Sequence, residues 1–342
     1  MKFRQLGKTG VLLSELCFGT MTFGGKGYWK AIGQLPEDEV TLLVKTAIEN
    51  GVNFFDTANA YSEGLAETLF GKALKNLGIN RQTVFIATKV RLRMGEGANQ
   101  VGLSKLHILA SIDDSLERLG LSHIDMLYIH GVDPITPLEE TMRALEDVIR
   151  SGKVRYLGVS NHPAWMVMKA NSFASNLGWT KFVASQNFYS IASRDIEREI
   201  VPMALSENIS IMPWSPLAGG FLSGKFKRES TTDGKNRRDN FDFPPINKEK
   251  AFDIVDVMTK IGNRYNVSPA RVALSWTKDR PGVGSVIIGA RNKEQLLDNL
   301  ACTQLQLSQE ELKELDTISA LPSEYPGWMV ERQLTGRFLE PR

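Results

Sequence analysis

The chain has 342 residues, of which 42% are hydrophobic and 23% charged, and its formal net charge is +2. This composition is typical of a globular protein with a large core, built as one large α/β domain or as two smaller ones. The near-neutral charge gives no general reason to bind nucleic acid or an anionic membrane, and neither a signal peptide nor an apolar run of roughly 18 residues is present, so we expect a cytoplasmic protein.

Two short apolar runs, Phe3–Leu6 and Leu16–Phe18, open the chain. The segment between them, Gly7-Lys8-Thr9-Gly10, has the chemistry of a tight turn. The sequence therefore predicts an N-terminal β-hairpin that pairs these two runs.

From Pro36 onward, helical and strand-like runs alternate. The helical runs place apolar residues at steps of three and four, whereas the strand-like runs are short, apolar and closed by a polar or aromatic residue. The predicted strands are Val52–Asp56, Val84–Lys89, Ile124–His130, Val154–Ser160, Phe182–Asn187, Ile209–Trp214 and Val286–Gly289. The predicted helices include Pro36–Asn50, Glu63–Leu77, Ser104–Leu119, Leu138–Arg150, Asp195–Glu207, Lys248–Tyr265 and Ser268–Thr277.

A weaker eighth strand is predicted at Cys302–Leu307, just before a capping box at Ser308–Glu311 that starts a final helix. Strand-helix repeats without a Gly-rich first turn favour a closed (β/α)8 barrel, that is, a TIM barrel, over an open doubly wound sheet. No linker indicates a second domain, so we expect one domain over residues 1–342. The longest connection, residues 215–247, follows the sixth predicted strand.

Cys17 and Cys302 lie in apolar stretches and show neither CxxC nor metal-ligand spacing. They are predicted to be buried thiols of a protein in a reducing compartment, and no metal site is expected.

One segment is locally basic, and we interpret it as a solvated loop. The alternative is that Lys225 faces a phosphate. The members of the segment are Lys225, Lys227, Arg228, Lys235, Arg237 and Arg238.

All strands of a parallel barrel end at one rim, so the polar residues at the strand ends are expected to lie close together there. Singly, a strand-end lysine is more often a surface charge and a lone histidine more often part of the core. A buried Lys89 needs a partner, however, and Asp56 closes the adjacent strand. A phenol has a pKa near 10, and an adjacent ammonium lowers it, so Tyr61 beside Lys89 is a candidate proton donor to a carbonyl oxygen. Together with His130 these residues form the predicted catalytic group.

Several segments, in order along the chain, resemble the aldo-keto reductases. The resemblance runs from about residue 3 to about residue 320. The segments that carry it are Leu6–Gly10, Leu16–Gly24, Asn53–Tyr61, Asp125–His130, Gly158–Asn161, Pro213–Gly220 and Gly289–Arg291.

The resemblance implies a (β/α)8 barrel whose N-terminal hairpin closes the bottom, and which binds NADPH along the rim without a Rossmann motif. It implies Tyr61 as the general acid, Lys89 as the residue that lowers its pKa, and Asp56 as the partner of Lys89. His130 is expected to orient the substrate carbonyl or to assist proton transfer.

The resemblance also implies a set of cofactor contacts. Ser160, Asn161 and Gln186 match the positions that bind the nicotinamide carboxamide, and Trp214 matches the ring on which the nicotinamide stacks. The pyrophosphate positions are Ser215, Pro216, Leu217, Ala218, Gly219 and Lys225, and the adenosine positions are Gly289, Arg291, Gln295, Asp298 and Asn299. Thr20, Met21 and Asp56 complete the set. Because Arg291 can bind a ribose 2′-phosphate, NADPH is expected rather than NADH.

Two other nucleotide motifs are excluded. Gly219 to Lys225 has P-loop spacing, but Phe226 stands where a P-loop needs Ser or Thr for Mg²⁺. A GxGxxG between a strand and a helix, as in a Rossmann dehydrogenase, is also absent from the sequence.

Three functions remain open: a carbonyl reductase, a cofactor-binding regulatory module of the channel β-subunit type, and a Schiff-base aldolase that uses Lys89. The expected partner of the leading function is a small carbonyl or alcohol, and the sequence leaves monomer or homo-oligomer undecided. Substrate specificity is expected to depend on three rim segments, Tyr28–Trp29, Arg91–Gln100 and Phe221–Phe243, and the alternative is that these are surface loops. The sequence leaves open the conformations of the loops at residues 20–33, 91–103 and 215–247.

Overall fold

The computed structural model describes residues 1–228, 238 and 241–335. A hairpin at the start of the chain pairs β1 (Phe3–Gln5) with β2 (Leu12–Ser14) in an antiparallel arrangement. Its turn needs Gly7, whose φ is +54° and whose added Cβ would lie 2.8 Å from the Asn208 oxygen. The predicted hairpin is confirmed, but its predicted second strand, Leu16–Phe18, is wrong.

Eight parallel strands form the barrel, and the run at Leu16 supplies the first of them. From β3 to β9 each strand pairs with the next along the chain, and β10 pairs with β3. The strands are β3 (Leu16–Gly19), β4 (Phe54–Asp56), β5 (Phe85–Val90), β6 (Ile124–Ile129), β7 (Val154–Ser160), β8 (Phe182–Phe188), β9 (Ser210–Trp214) and β10 (Val286–Ile288). The predicted (β/α)8 barrel is thus confirmed.

The barrel closes between β9 and β10. The Ile211 amide donates to the Gly282 carbonyl at 2.8 Å, and the Gly284 amide donates to the Ile211 carbonyl at 2.9 Å. Because β3 precedes the strands predicted from the sequence, the long connection follows the seventh barrel strand, not the sixth.

Helices surround the barrel, and most follow their predicted bounds closely. Ser308 and Glu311 form the predicted capping box of the tenth helix. The helices are α1 (Glu37–Glu49), α2 (Leu65–Asn76), α3 (Lys105–Leu119), α4 (Leu138–Arg150), α5 (Ala164–Leu177), α6 (Ile200–Glu207), α7 (Lys248–Tyr265), α8 (Pro269–Lys278), α9 (Lys293–Leu300), α10 (Gln309–Ile318) and α11 (Gly327–Thr335). In the described part of the chain, each helix is too short or too polar to cross a membrane.

The predicted strand at Cys302–Leu307 is wrong. Residues Ala301–Gln304 form a 3₁₀ turn, and Ser275 of α8 donates a hydrogen bond to the Leu305 carbonyl at 2.7 Å. The apolar side chains of this segment are buried against helices outside the barrel. Their spacing therefore reflects helix packing, which produces the same short apolar run as strand pairing.

The hairpin covers the end of the barrel opposite the rim. Leu6 and Leu13 are buried in one cluster with side chains from inside the barrel, such as Phe54 and Met126. The Gly7 amide also donates to the Ser210 hydroxyl, at the start of β9, at 2.7 Å. The predicted position of the hairpin at the bottom of the barrel is confirmed.

Both cysteines are free and buried, as predicted. Burial raises the pKa of the Cys17 thiol and raises that of the Cys302 thiol to about 12. Both side chains therefore remain protonated and pack as small apolar groups.

Candidate active site

Lys89 and Asp56 form a buried ion pair at the rim. The Lys89 ammonium donates to Asp56 Oδ2 at 2.5 Å, to the Thr57 carbonyl at 2.8 Å and to the Tyr61 hydroxyl at 3.1 Å. The side chains of Lys89 and Asp56 are 0% and 3% exposed. An ammonium carries three donors, so this geometry satisfies all of them away from water.

The charges of this group follow from its burial and its pairing. Burial raises the pKa of Asp56, although the charge of Lys89 and hydrogen bonds from Lys89 and Gln186 oppose the rise. Burial alone would lower the pKa of Lys89, but the charges of Asp56 and Tyr61 outweigh it and raise that pKa. Lys89 is therefore charged at neutral pH.

Tyr61 is held in place by an unusual turn. It begins a 3₁₀ turn in which Ser62, Glu63 and Gly64 all have positive φ, at 50°, 57° and 90°. The Ser62 hydroxyl donates to the Phe23 carbonyl at 2.7 Å and accepts from the Gly25 amide at 2.9 Å. Backbone strain of this kind is common beside functional groups. The sequence does not single out Ser62, because Gly64 is the only residue of this turn whose type indicates a positive φ.

His130 lies beside Tyr61 at the end of β6. The two rings are 5.8 Å apart between centroids and nearly perpendicular. Burial lowers the pKa of His130 well below its usual value, and the positive charges of Lys89 and Arg91 lower it further. Within the described residues, its Nδ1 is buried without a hydrogen-bond partner. A neutral imidazole with an unpaired nitrogen is able to bind a substrate oxygen or to pass a proton.

The folded protein is expected to lose stability as the pH falls below about 6.5, because burial lowers the pKa of all four histidines. Histidines whose pKa is depressed on folding take up protons more readily when unfolded. Their contribution to the free energy of unfolding is therefore fully present above that pH and decreases below it. Urea unfolding at pH 7.5, 6.5 and 5.5 measures this slope. The variant His130→Gln should show a shallower slope, whereas a flat profile in the unaltered protein would contradict the prediction.

The predicted carboxamide-binding residues are brought together. Ser160 closes β7, and its hydroxyl accepts from Asn161 Nδ2 at 3.0 Å. Asn161, with φ of +56°, also donates to the His130 carbonyl at 3.1 Å and accepts from Trp214 Nε1 at 3.0 Å. Gln186 Nε2 donates to Asp56 Oδ1 at 2.9 Å, which connects this cluster to the ion pair.

The chemistry of this cluster fits a nicotinamide carboxamide. The Ser160 hydroxyl accepts a hydrogen bond but keeps its own proton to donate, and the side-chain oxygen of Asn161 has a second lone pair. A carboxamide offers one acceptor oxygen and an NH₂ donor, which these groups complement. Thr20, directly after β3, is buried with its hydroxyl unpartnered in the described part of the chain, and its amide donates to the Asp56 carbonyl at 2.9 Å. Met21, next to it, is half-buried.

Trp214 ends β9 within a group of aromatic rings. Phe243 stacks on it with ring centroids 5.8 Å apart and planes at 13°, and Phe188 lies 5.1 Å away. Trp29 contacts Tyr61 with ring centroids 4.9 Å apart. The loop at residues 20–33 therefore reaches the predicted acid.

The segment after Trp214 curls tightly. Ser215, Ala218 and Gly219 have φ of +51°, +48° and +66°, and the Ser215 hydroxyl accepts from the Gly219 amide at 2.9 Å. Lys225 is exposed beside this curl, and its Nζ would lie 3.5 Å from a Cβ added to Gly220. Turned backbone amides with a nearby lysine suit a pyrophosphate. Pro216 and Leu217 lie in the same curl.

The interpretation of the basic segment as solvated is wrong for Arg238, which is 6% exposed. Its guanidinium donates to the carbonyls of Ala218 and Pro244 at 2.8 and 3.0 Å and pairs with Asp242 at 2.6 Å. Lys225, Lys227 and Arg228 are exposed, and Arg228 pairs with acids of α7. Lys235 and Arg237 lie outside the described residues.

The predicted adenosine residues are only partly assembled. The Arg291 amide donates to Gln295 Oε1 at 3.0 Å, and Asn299 donates to the carbonyl of exposed Gly289 at 3.1 Å. Asp298 does not join them, because Ser268 and Arg271 bind its two oxygens, each at 2.6 Å. Asp298 thus has a clear structural role in joining α9 to α8.

Comparisons with known proteins agree with this geometry. Residues 15–320 match the model of the Aldo/keto reductase family. Versiconal hemiacetal acetate reductase from Aspergillus parasiticus is 34% identical over 96% of this chain and 99% of its own length. A putative aryl-alcohol dehydrogenase from Schizosaccharomyces pombe is 36% identical, covering 91% and 93%. A probable voltage-gated potassium channel subunit beta from Oryza sativa subsp. japonica is 34% identical, covering 88% and 90%. The chain therefore belongs to the aldo/keto reductase family, whose members are oxidoreductases of carbonyl compounds with a nicotinamide cofactor.

Proposed function

We propose that this protein reduces aldehydes or ketones to alcohols, reversibly, with NADPH as the reductant and Tyr61 as the proton donor. The observation that carries the proposal is the Tyr61 hydroxyl, held 3.1 Å from the buried Lys89 ammonium and beside neutral His130. The proposed compartment is the cytoplasm, with which two free thiols agree.

The residues of the chain perform the proton transfer in this proposal. When bound, the nicotinamide supplies hydride to the carbonyl carbon. Tyr61 gives its proton to the carbonyl oxygen, and the Lys89 ammonium stabilises the phenolate that remains. Asp56 keeps Lys89 charged and fixed, and the unpaired nitrogen of His130 positions the substrate oxygen.

The aldolase alternative does not suit this geometry. A Schiff base needs a neutral amine with a free lone pair. The Lys89 nitrogen is instead a charged ammonium with three acceptors around it. We therefore retain only the reductase and, as a second candidate, a cofactor-binding regulatory module, which the similarity to a probable voltage-gated potassium channel subunit beta favours.

A substrate screen tests the proposal. Purified protein is mixed with NADPH and a panel of aliphatic and aromatic aldehydes and ketones, and the loss of NADPH absorbance is followed. Turnover at rates of about 1 per second or more with some members is expected of an enzyme. Tight NADPH binding with turnover orders of magnitude slower on every compound would favour the regulatory module instead.

The preference for NADPH is expected to depend on Arg291, near the start of the adenosine segment. Its Nη2 donates to the Ile32 carbonyl at 3.1 Å, so the guanidinium retains donors for a 2′-phosphate. The variant Arg291→Leu should bind NADPH about 10- to 100-fold more weakly, since a charge-assisted contact is lost, with NADH affinity nearly unchanged. Dissociation constants from fluorescence titration measure both. An equal loss for the two nucleotides would show that Arg291 acts only through the fold.

A further inference from the structure

Arg91 is a half-buried arginine at the rim, two residues beyond Lys89. Its Nε and Nη2 donate to the Val132 carbonyl at 3.2 and 3.0 Å. In the part of the chain that the structure describes, it forms no ion pair with an aspartate or glutamate. An arginine has five N–H donors, so three are left for another partner.

The nearby acid Asp133 does not neutralise Arg91. Its carboxylate accepts from the Leu103 amide at 2.7 Å, the Thr136 hydroxyl at 2.6 Å and the Ile135 amide at 3.0 Å. These bonds fix it to the loops around it. Among the residues that the structure describes, the positive charge of Arg91 therefore stays uncompensated at the rim.

The backbone holds Arg91 in a strained conformation. Its φ is +149°, which side chains other than glycine rarely adopt, and its carbonyl accepts from the Gly102 amide at 2.8 Å. Strain at a non-glycine residue persists only when the surrounding structure enforces it, and it is concentrated at binding sites. The conformation places the guanidinium beside Gly131, directly after His130.

The charge of Arg91 acts on the predicted catalytic pocket. His130 experiences two charges, those of Lys89 and Arg91, and both are positive. Lys89 is paired with Asp56, whereas the acceptor that Arg91 binds is the neutral carbonyl of Val132. The pocket next to His130 therefore has an electrostatic preference for an anion that Lys89 alone does not explain.

We propose that Arg91 binds a carboxylate of the substrate, so that the preferred carbonyl compounds are anionic aldehydes or ketones. The proposal rests on the reductase function given above. A guanidinium binds a carboxylate through two parallel hydrogen bonds, and partial burial strengthens such a pair. Arg91 then selects the substrate and fixes its distance from Tyr61 and His130.

The experiment compares substrates that differ in charge alone. The 2-, 3- and 4-carboxybenzaldehydes place the carboxylate at three distances from the carbonyl, and their methyl esters are neutral counterparts of similar shape. At least one acid should exceed its ester in kcat/KM by about 10- to 100-fold, the range of a charged hydrogen bond. The variant Arg91→Gln keeps a donor for the Val132 carbonyl without the charge and should lose most of this ratio.

Arg155→Gln is the matched control. Arg155 is exposed at the start of β7, at the end of the barrel opposite the rim, so the loss of its charge should leave the acid-to-ester ratio near that of the unaltered protein. An unaltered protein without preference for any acid, or an Arg91→Gln variant that keeps the preference, overturns the proposal.

A binding measurement separates this inference from the reductase function. Terephthalate and its monomethyl ester are titrated against the protein with NADP⁺ present, using tryptophan fluorescence. Arg91→Gln should weaken terephthalate binding by about tenfold or more and change ester binding less. Equal effects on both ligands overturn the role of Arg91, whereas failure to reduce any aldehyde overturns only the proposed reaction.

Discussion

Replacing Tyr61 with phenylalanine is expected to slow carbonyl reduction by about 100- to 10,000-fold, the usual contribution of a positioned general acid. The change removes one hydroxyl and keeps the ring, which packs against Trp29 and His130. NADPH affinity should stay near that of the unaltered protein, because the predicted cofactor contacts lie on other residues. Steady-state kinetics and NADPH titration measure the two quantities separately.

Tyr28→Phe is the control for this prediction. Tyr28 also contacts Trp29, but it is 65% exposed, so loss of its hydroxyl should leave the rate within a few fold. A Tyr61→Phe variant that keeps its rate would contradict the assignment of the acid. Loss of NADPH binding instead would show that Tyr61 holds the cofactor.

The grouping of the predicted catalytic residues could be inferred from the sequence because the barrel repeats one simple rule. Asp56 and Ser160 are the last residues of β4 and β7, Lys89 is the next-to-last residue of β5, and parallel strands bring these ends to a common rim. The pairing of Asp56 with Lys89 follows from adjacent strands and from the cost of burying a lone charge. Short-range pattern and topology together were sufficient for this part of the site.

Other features depend on contacts between distant segments, which no local pattern reveals. Leu16–Gly19 belongs to the barrel because β10 pairs with it from 270 residues away. Arg238 is buried because the carbonyls of Ala218 and Pro244 accept hydrogen bonds from its guanidinium, although its neighbours in sequence are basic and polar. The turn at Ser62 likewise depends on a separate loop at Phe23 and Gly25. Contacts in the folded protein, and not the local sequence, determine the structure and burial of such residues.

Removing one member of the Lys89–Asp56 pair is expected to destabilise the fold strongly. Either Lys89→Met or Asp56→Asn leaves an uncompensated charge in a site closed to water, and the free energy of unfolding should fall by about 3 to 5 kcal/mol. Lys153→Met is the control, because Lys153 pairs with Asp113 at the same distance of 2.5 Å, but both side chains are exposed, at 42% and 58%. That change should cost less than about 1 kcal/mol.

The double variant Asp56→Asn, Lys89→Met shows whether burial of the charge or loss of packing causes the effect. With both charges removed, no isolated ion remains in the barrel, so the double variant should be more stable than the sum of the two single losses predicts. Urea unfolding at pH 7.5 measures all four proteins of this cycle. Strictly additive losses would mean that the two residues act independently, and the argument that Asp56 holds Lys89 as an ammonium beside Tyr61 would then fail.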